Sequence, residues 1–490
     1  MLRTVLMGLG VGLGAAVGVG ESLGPPEVVL EYVARYLCQA NEPDHLLAAL
    51  DLGGGRVVVA GNRGLALVDL ASLPASGSRN ALFRLGNLNA RNVYRFGSER
   101  ILVNLNRGET QSSPGFAVVL VDGPRLVLER VVDEPDTLYE KMCVVGSTLY
   151  VAAHARGLRI YSLANPGGPV LLGRLESGFV DAFSVAVEGS TAYVADGAGG
   201  LKVVDVSDPD QPVLLGGEDL ATAVGTAEDV TVRGGHVFVA AGGAGLACYP
   251  GGNLARRVLV PVGACAEDLA WVGPYLAVAT MDGVTLLAVG PEGVARPVGR
   301  ETTARRDNGT LRLCEGVAGT ADGLLLAADW NFVDVYRPVS GGAASQPDIE
   351  STVQRVRFPP SGGTQRVTLT NHGAAPLVIA SVTSSAAGFS ADFGGGTLLP
   401  GESVSFTVAY DGSPQPGSGV IRIGSNDPDE NPLPIQVFGR TEYLDPGEPV
   451  PDFTLPGLRR DPVTGGLVAT TFRLSEQRGK VVWFQVYGYW

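Results

Sequence analysis

The chain has 490 residues, and its 50 acidic against 36 basic side chains give a net charge of -14 at pH 7. That balance argues against nucleic acid and against an anionic membrane surface as partners, since both call for basic patches. Its 69 glycines, 32 prolines and 7% aromatics suit many short strands joined by tight turns rather than helices, in a length that accommodates several domains.

At the N-terminus Arg3 precedes an apolar, glycine-rich run from Thr4 to Gly20, and Gly18-Val19-Gly20 offers a small-x-small cleavage site before Glu21. Residues 1–20 therefore read as an export signal, with a periplasmic, cell-surface or extracellular destination. A membrane is engaged only if this segment stays uncleaved as an anchor. Residues 21–44 form a lead-in. Cys38, Cys143, Cys248, Cys265 and Cys314 are scattered, with no Cys-x-x-Cys and no histidine at metal-ligand spacing, so no metal site and no cofactor are expected. Most read as small buried hydrophobes, and Cys248 with Cys265 is a candidate disulfide in an oxidising compartment.

Residues 45–338 carry an internal repeat. Gly146-Ser147-Thr148-Leu149-Tyr150-Val151-Ala152 returns as Gly189-Ser190-Thr191-Ala192-Tyr193-Val194-Ala195 and as Gly234-Gly235-His236-Val237-Phe238-Val239-Ala240. Each is followed by a glycine-rich turn and a second strand, as at Gly200-Leu201-Lys202-Val203-Val204-Asp205. Weaker copies at Arg56 to Asp69, Ile101 to Val121, Tyr275 to Leu287 and Leu324 to Tyr336 bring the number of units to seven. A lone four-stranded sheet cannot bury both faces, so neighbours must stack, and a seven-bladed β-propeller is the expected closure. Leu201 to Pro209 and Pro212 to Gly216 resemble LVIVP repeats of exported bacterial and archaeal propellers. That resemblance implies a surface or periplasmic location and a binding role, with an unidentified protein, glycan or small molecule as ligand, and it supplies no catalytic residues.

Acidic residues recur just before the first strand of the central units: Glu140, Asp181, Glu228-Asp229 and Glu267-Asp268. Glu228, Asp229, Glu267 and Asp268 are the candidate binding residues, because strand starts of this kind can face the axial channel and converging carboxylates can hold a hard cation such as calcium. Turn capping or solvation is the competing explanation of the same carboxylates. His45, His154, His236 and His372 fall in unrelated contexts and assemble neither a triad nor a metal cluster. Asn308-Gly309-Thr310 meets the glycosylation sequon.

After a linker at 339–348, residues 349–440 alternate as short strands with regular turn signals, the pattern of an immunoglobulin-like β-sandwich. Thr368 to Gly373, Leu399 to Val404 and Ser425-Asn426-Asp427-Pro428 resemble signatures of choice-of-anchor D and Hydin-like domains, which implies a spacer or adhesion module. Asn371 and Asp427 suit turn chemistry better than ion binding.

In residues 441–490, Pro451-Asp452-Phe453-Thr454-Leu455, Leu474 to Val482 and Tyr487 to Trp490 resemble, in order and spacing, the opening of the redoxin superfamily of peroxiredoxins and thiol-disulfide oxidoreductases. The resemblance implies an incomplete thioredoxin-like α/β segment whose redox residue, a cysteine or selenocysteine, is expected immediately after Trp490. A misread selenocysteine codon, a frameshift, a genuine stop or a cut would each give this ending. The expectation is thus a mainly β, exported binding scaffold fused to a redoxin-like domain, with no catalytic residue of its own within these 490 residues and a thiol, disulfide or peroxide substrate for the complete redox domain. The alternative is a non-enzymatic surface adhesion or structural protein with a decayed redoxin remnant.

Overall fold

The computed structural model describes residues 28–37, 46–439 apart from short interior stretches (the longest at 74–82, 107–114 and 302–313), and two strands at 454–460 and 467–473. The export signal, Cys38, His45, the sequon at Asn308 and most of the redoxin-like motifs therefore lie outside the described residues.

Between Val28 and Ser340 the described residues form six four-stranded antiparallel sheets and one three-stranded sheet, together resembling the blades of a β-propeller. The innermost strands are Leu46–Gly53, Asn89–Phe96, Met142–Val145, Ser184–Glu188, Asp229–Arg233, Ala266–Val272 and Gly316–Gly319. Each touches the innermost strand of the next sheet, and the last returns to the first. Apolar clusters fill the spaces between sheets: Phe238, Leu246, Cys248, Val260, Leu276 and Val278 pack between the fifth and sixth. Burial of this kind contributes on the order of 1.5–3 kcal/mol per large side chain.

The seventh sheet holds the main departure from the sequence reading. Val28–Leu37, placed there in a lead-in, pairs antiparallel with Phe332–Ser340 from Val28 opposite Ser340 to Leu37 opposite Phe332, so the N-terminal strand is the outermost strand of the last sheet. The reason is its alternation: Val28, Leu30, Tyr32, Ala34 and Tyr36 are buried while Glu31 and Arg35 are only half-covered. Arg35 completes the closure, with Nε and a terminal nitrogen on the buried Asp334 carboxylate at 2.5 and 2.9 Å and its guanidinium 4.1 Å from the Phe332 ring centroid.

No disulfide joins Cys248 and Cys265, so of the two readings the small buried hydrophobe is the one seen at Cys248. Cys248 is wholly buried among apolar neighbours, which push its thiol up to about 11 and leave it a small hydrophobe.

From Ile349 to Phe438 two sheets share one core. A four-stranded sheet contains Gly363–Asn371 and Ser403–Tyr410, and a five-stranded sheet contains Leu377–Ser384, Ser418–Ser425 and Leu433–Phe438. Val367, Leu369, Phe406 and Val408 face Leu377, Ile379, Ile421, Ile423 and Ile435. The motif residues act as turn-makers. Asn371 is fully buried, donating to the carbonyls of Ala375 and Leu398 at 2.8 and 3.0 Å and accepting the Gly373 amide at 3.0 Å. A Cβ on Gly373 would stand 2.1 Å from the Gln346 carbonyl, so only glycine fits there. Asp427 accepts the Ile349 amide at 2.7 Å. Thr454–Arg460 and Leu467–Arg473 form a separate antiparallel pair.

Candidate functional site

One end of the inner strands gathers charge that a folded protein rarely buries. Lys141, just before the third inner strand, is 8% exposed and places its ammonium 3.2 Å from the Asp229 carboxylate, with a closer contact to Asp268. Asp229 and Asp268 stand on the fifth and sixth inner strands, which are not neighbours of the third, so the lysine reaches across the axial opening. Each carboxylate is also anchored to backbone: Asp229 accepts the Leu269 amide at 2.9 Å and Asp268 the Val317 amide at 2.7 Å.

The two carboxylates share a hydrogen bond and titrate apart. Burial raises Asp229 to about 6, with Lys141 opposing and Asp268 adding to the rise. Burial pushes Asp268 the same way, yet Lys141, the hydrogen bond from Asp229 and the Val317 amide together bring it below its ordinary value.

A second group adjoins. Glu140 is 4% exposed and pairs with Arg91 of the second inner strand at 3.2 Å. His154 Nε2 lies 3.3 Å from the same carboxylate, and His154 Nδ1 lies 2.8 Å from Asp181. Burial would lower the imidazole's affinity for protons, but hydrogen bonds to Asp181 and Glu140 raise its pKa to about 9. The Asp181 amide in turn donates to the buried Asp196 at 2.8 Å.

His154 has a backbone φ of +48°, the left-handed region that costs a non-glycine residue about 1 kcal/mol. In the next two sheets the equivalent positions are Gly197 and Gly242, at φ of +53° and +54°, each bridging to the following sheet (Ala227 and Ala266) as His154 does to Ala182. Blade architecture alone asks for glycine here. The histidine therefore occupies the position for its side chain, which bridges two carboxylates.

Of the four candidate residues, the structure brings Asp229 and Asp268 together. Glu228 instead accepts the Thr226 hydroxyl at 2.5 Å, and Glu267 is half-buried next to Asp268. Among the described residues no three His, Cys, Asp or Glu side chains are grouped to hold a metal ion. The carboxylates of this group instead face Lys141, Arg91 and His154. Sequence reasoning missed these three cations. The signal for one was present: Ala153-His154-Ala155-Arg156-Gly157-Leu158 aligns with Asp196-Gly197-Ala198-Gly199-Gly200-Leu201, exposing a histidine where the repeat has glycine.

A pH dependence follows. A histidine raised from 6.5 to about 9 adds stability that is complete below pH 6.5 and is lost as pH rises through 9. Urea unfolding at about pH 6.5 and about pH 9.5 is expected to differ by about 2 kcal/mol more in the wild type than in His154→Gly. Equal differences in the two proteins would remove the assignment.

The LVIVD repeat family model matches residues 181–217 and 224–248, within the fourth and fifth sheets. The repeat named LVIVP from sequence is thus the LVIVD repeat, read at Leu201–Asp205 as Leu-Lys-Val-Val-Asp. No curated protein matches the chain. Among solved structures, the extracellular domain of a protein described as a hybrid two-component system from B. thetaiotaomicron is similar at 10% identity and a TM-score of 0.48. That match covers 84% of this chain and 57% of that one, so this chain spans little more than half the length of that structure. U3-55K, at 9% identity and TM-score 0.47, and the WD40 repeats of RRP9, at 9% and 0.45, each cover 63% of this chain and 99% and 100% of their own.

Proposed function

We propose that this chain is a ligand-holding scaffold of the exported type. It would be built on a seven-bladed propeller, with an immunoglobulin-like sandwich as spacer and a redoxin-like segment in residues 441–490. The observation that carries the reading is the convergence of Arg91, Lys141, His154, Asp181, Asp229 and Asp268 at one end of the inner strands, where a polar ligand would meet both signs of charge. No helix among the described residues is long and apolar enough to cross a membrane.

Binding of the full chain to arrays of glycans and peptides tests the reading. Ligands held at the axial mouth should be lost in His154→Ala and Asp181→Ala. Retention of every bound ligand by both variants would place recognition elsewhere.

Thiol-disulfide or peroxide chemistry in the gene product is supported by the ordered redoxin-like motifs. Reduction of insulin or peroxide by protein purified from its host would bear on it directly. Absence of turnover there would favour the non-enzymatic adhesion or structural reading.

A further inference from the structure

At the other end of the inner strands the turns at Gly53–Gly55 and Gly97–Glu99 bring the first two sheets together. A cleft of about 220 Å³ opens there, lined among others by Arg56, Arg95, Arg100, Ser98 and Glu99. Arg56 donates to the Gly123 carbonyl at 2.9 Å and Arg95 to the Asp51 carbonyl at 2.7 Å. A single backbone carbonyl thus orients each guanidinium, and neither is paired with a carboxylate among the described residues.

Several arginines of the ring are paired with acids instead, although Arg233, like these two, donates to a backbone carbonyl, that of Gly273 at 3.2 Å. Arg35, Arg91, Arg159 and Arg257 are each paired with an acid, and Arg100 forks onto Glu129 at 2.7 and 2.9 Å. The Asp51 carboxylate accepts the amides of Gly53 and Ala321, both at 2.8 Å, while Arg95 meets only the Asp51 backbone carbonyl. Arg56 and Arg95 thus bring two exposed guanidinium groups, without acid partners among the described residues, beside Arg100 to the wall of one cleft.

We propose that this cleft binds one oxyanion, the carboxylate or phosphate group of a small ligand. The planar fork of N-H donors on arginine matches both groups, and each guanidinium, held by one backbone carbonyl, keeps further donors available. Glu99 on the same wall opposes any bound anion and so tempers the affinity.

Calorimetric titration of the full chain at low ionic strength, with inorganic phosphate in one arm and glucuronate in the other against a chloride reference, tests the assignment. Saturable binding is expected in at least one arm, and the responding arm identifies which oxyanion the cleft takes. R56Q/R95Q should weaken it about tenfold or more, E99Q should strengthen it about threefold, and R256Q should leave it unchanged. Circular dichroism checks that the double variant folds, and R95Q alone replaces it if it does not. Absence of saturable binding in both arms, or binding indifferent to loss of the arginines, overturns the proposal.

Discussion

Replacing Lys141 with methionine is expected to lower the unfolding free energy by about 3 kcal/mol, read from the urea midpoint at neutral pH. The methionine restores the volume of the aliphatic stem but not the ammonium. Asp229 and Asp268 then share a site with no cation between them, and one must take up a proton or draw in water. Because loss of Lys141 lifts the Asp229 pKa further above its wild-type value of about 6, the loss should shrink as pH falls from neutral to below that value, where both proteins hold the proton. A Lys141→Met protein within about 0.5 kcal/mol of wild type at every pH would show that the axial charges are solvated rather than mutually compensated.

The second large effect concerns closure of the ring. Arg35→Met strips the buried Asp334 carboxylate of its guanidinium and should destabilise by about 3 kcal/mol. Deleting residues 1–37 goes further, since it exposes the edge of Phe332–Ser340 and the faces covered by Val28, Leu30, Tyr32 and Tyr36. At roughly 1.5–3 kcal/mol for each large apolar side chain returned to water, the loss rivals the whole stability of a typical domain. The truncated protein should lose its cooperative transition and aggregate through the open edge. A soluble, cooperatively unfolding truncated form would mean that the N-terminal strand is dispensable.

Much of the architecture was legible because repetition is a pattern that single-sequence reading detects well. The glycine-turn-strand units at Gly146, Gly189 and Gly234 correspond to consecutive sheets, and the alternation after Ile349 to a two-sheet core. What escaped notice depends on contacts between residues far apart in the chain. Val28–Leu37 shows a strand's alternation, but no local signal says that its partner lies some three hundred residues away, at Phe332–Ser340.

The candidate site was legible only by half for the same reason. Acidic residues at the start of the central inner strands stand out because they repeat, whereas Lys141 and Arg91 occur once, and their partners are chosen by the ring's closure. His154 was hidden by a comparison made with the wrong residues: set beside other histidines it looks isolated, while set beside Gly197 and Gly242 it is an exception that backbone strain makes conspicuous.

A double-mutant cycle between Lys141 and Asp268 tests the compensated axial cluster most directly. With Lys141→Met, Asp268→Asn and the pair measured by urea unfolding at neutral pH, the account predicts a coupling energy of about 1.5 kcal/mol or more, with the double variant more stable than Lys141→Met alone. A coupling below about 0.5 kcal/mol, with additive losses, would contradict it.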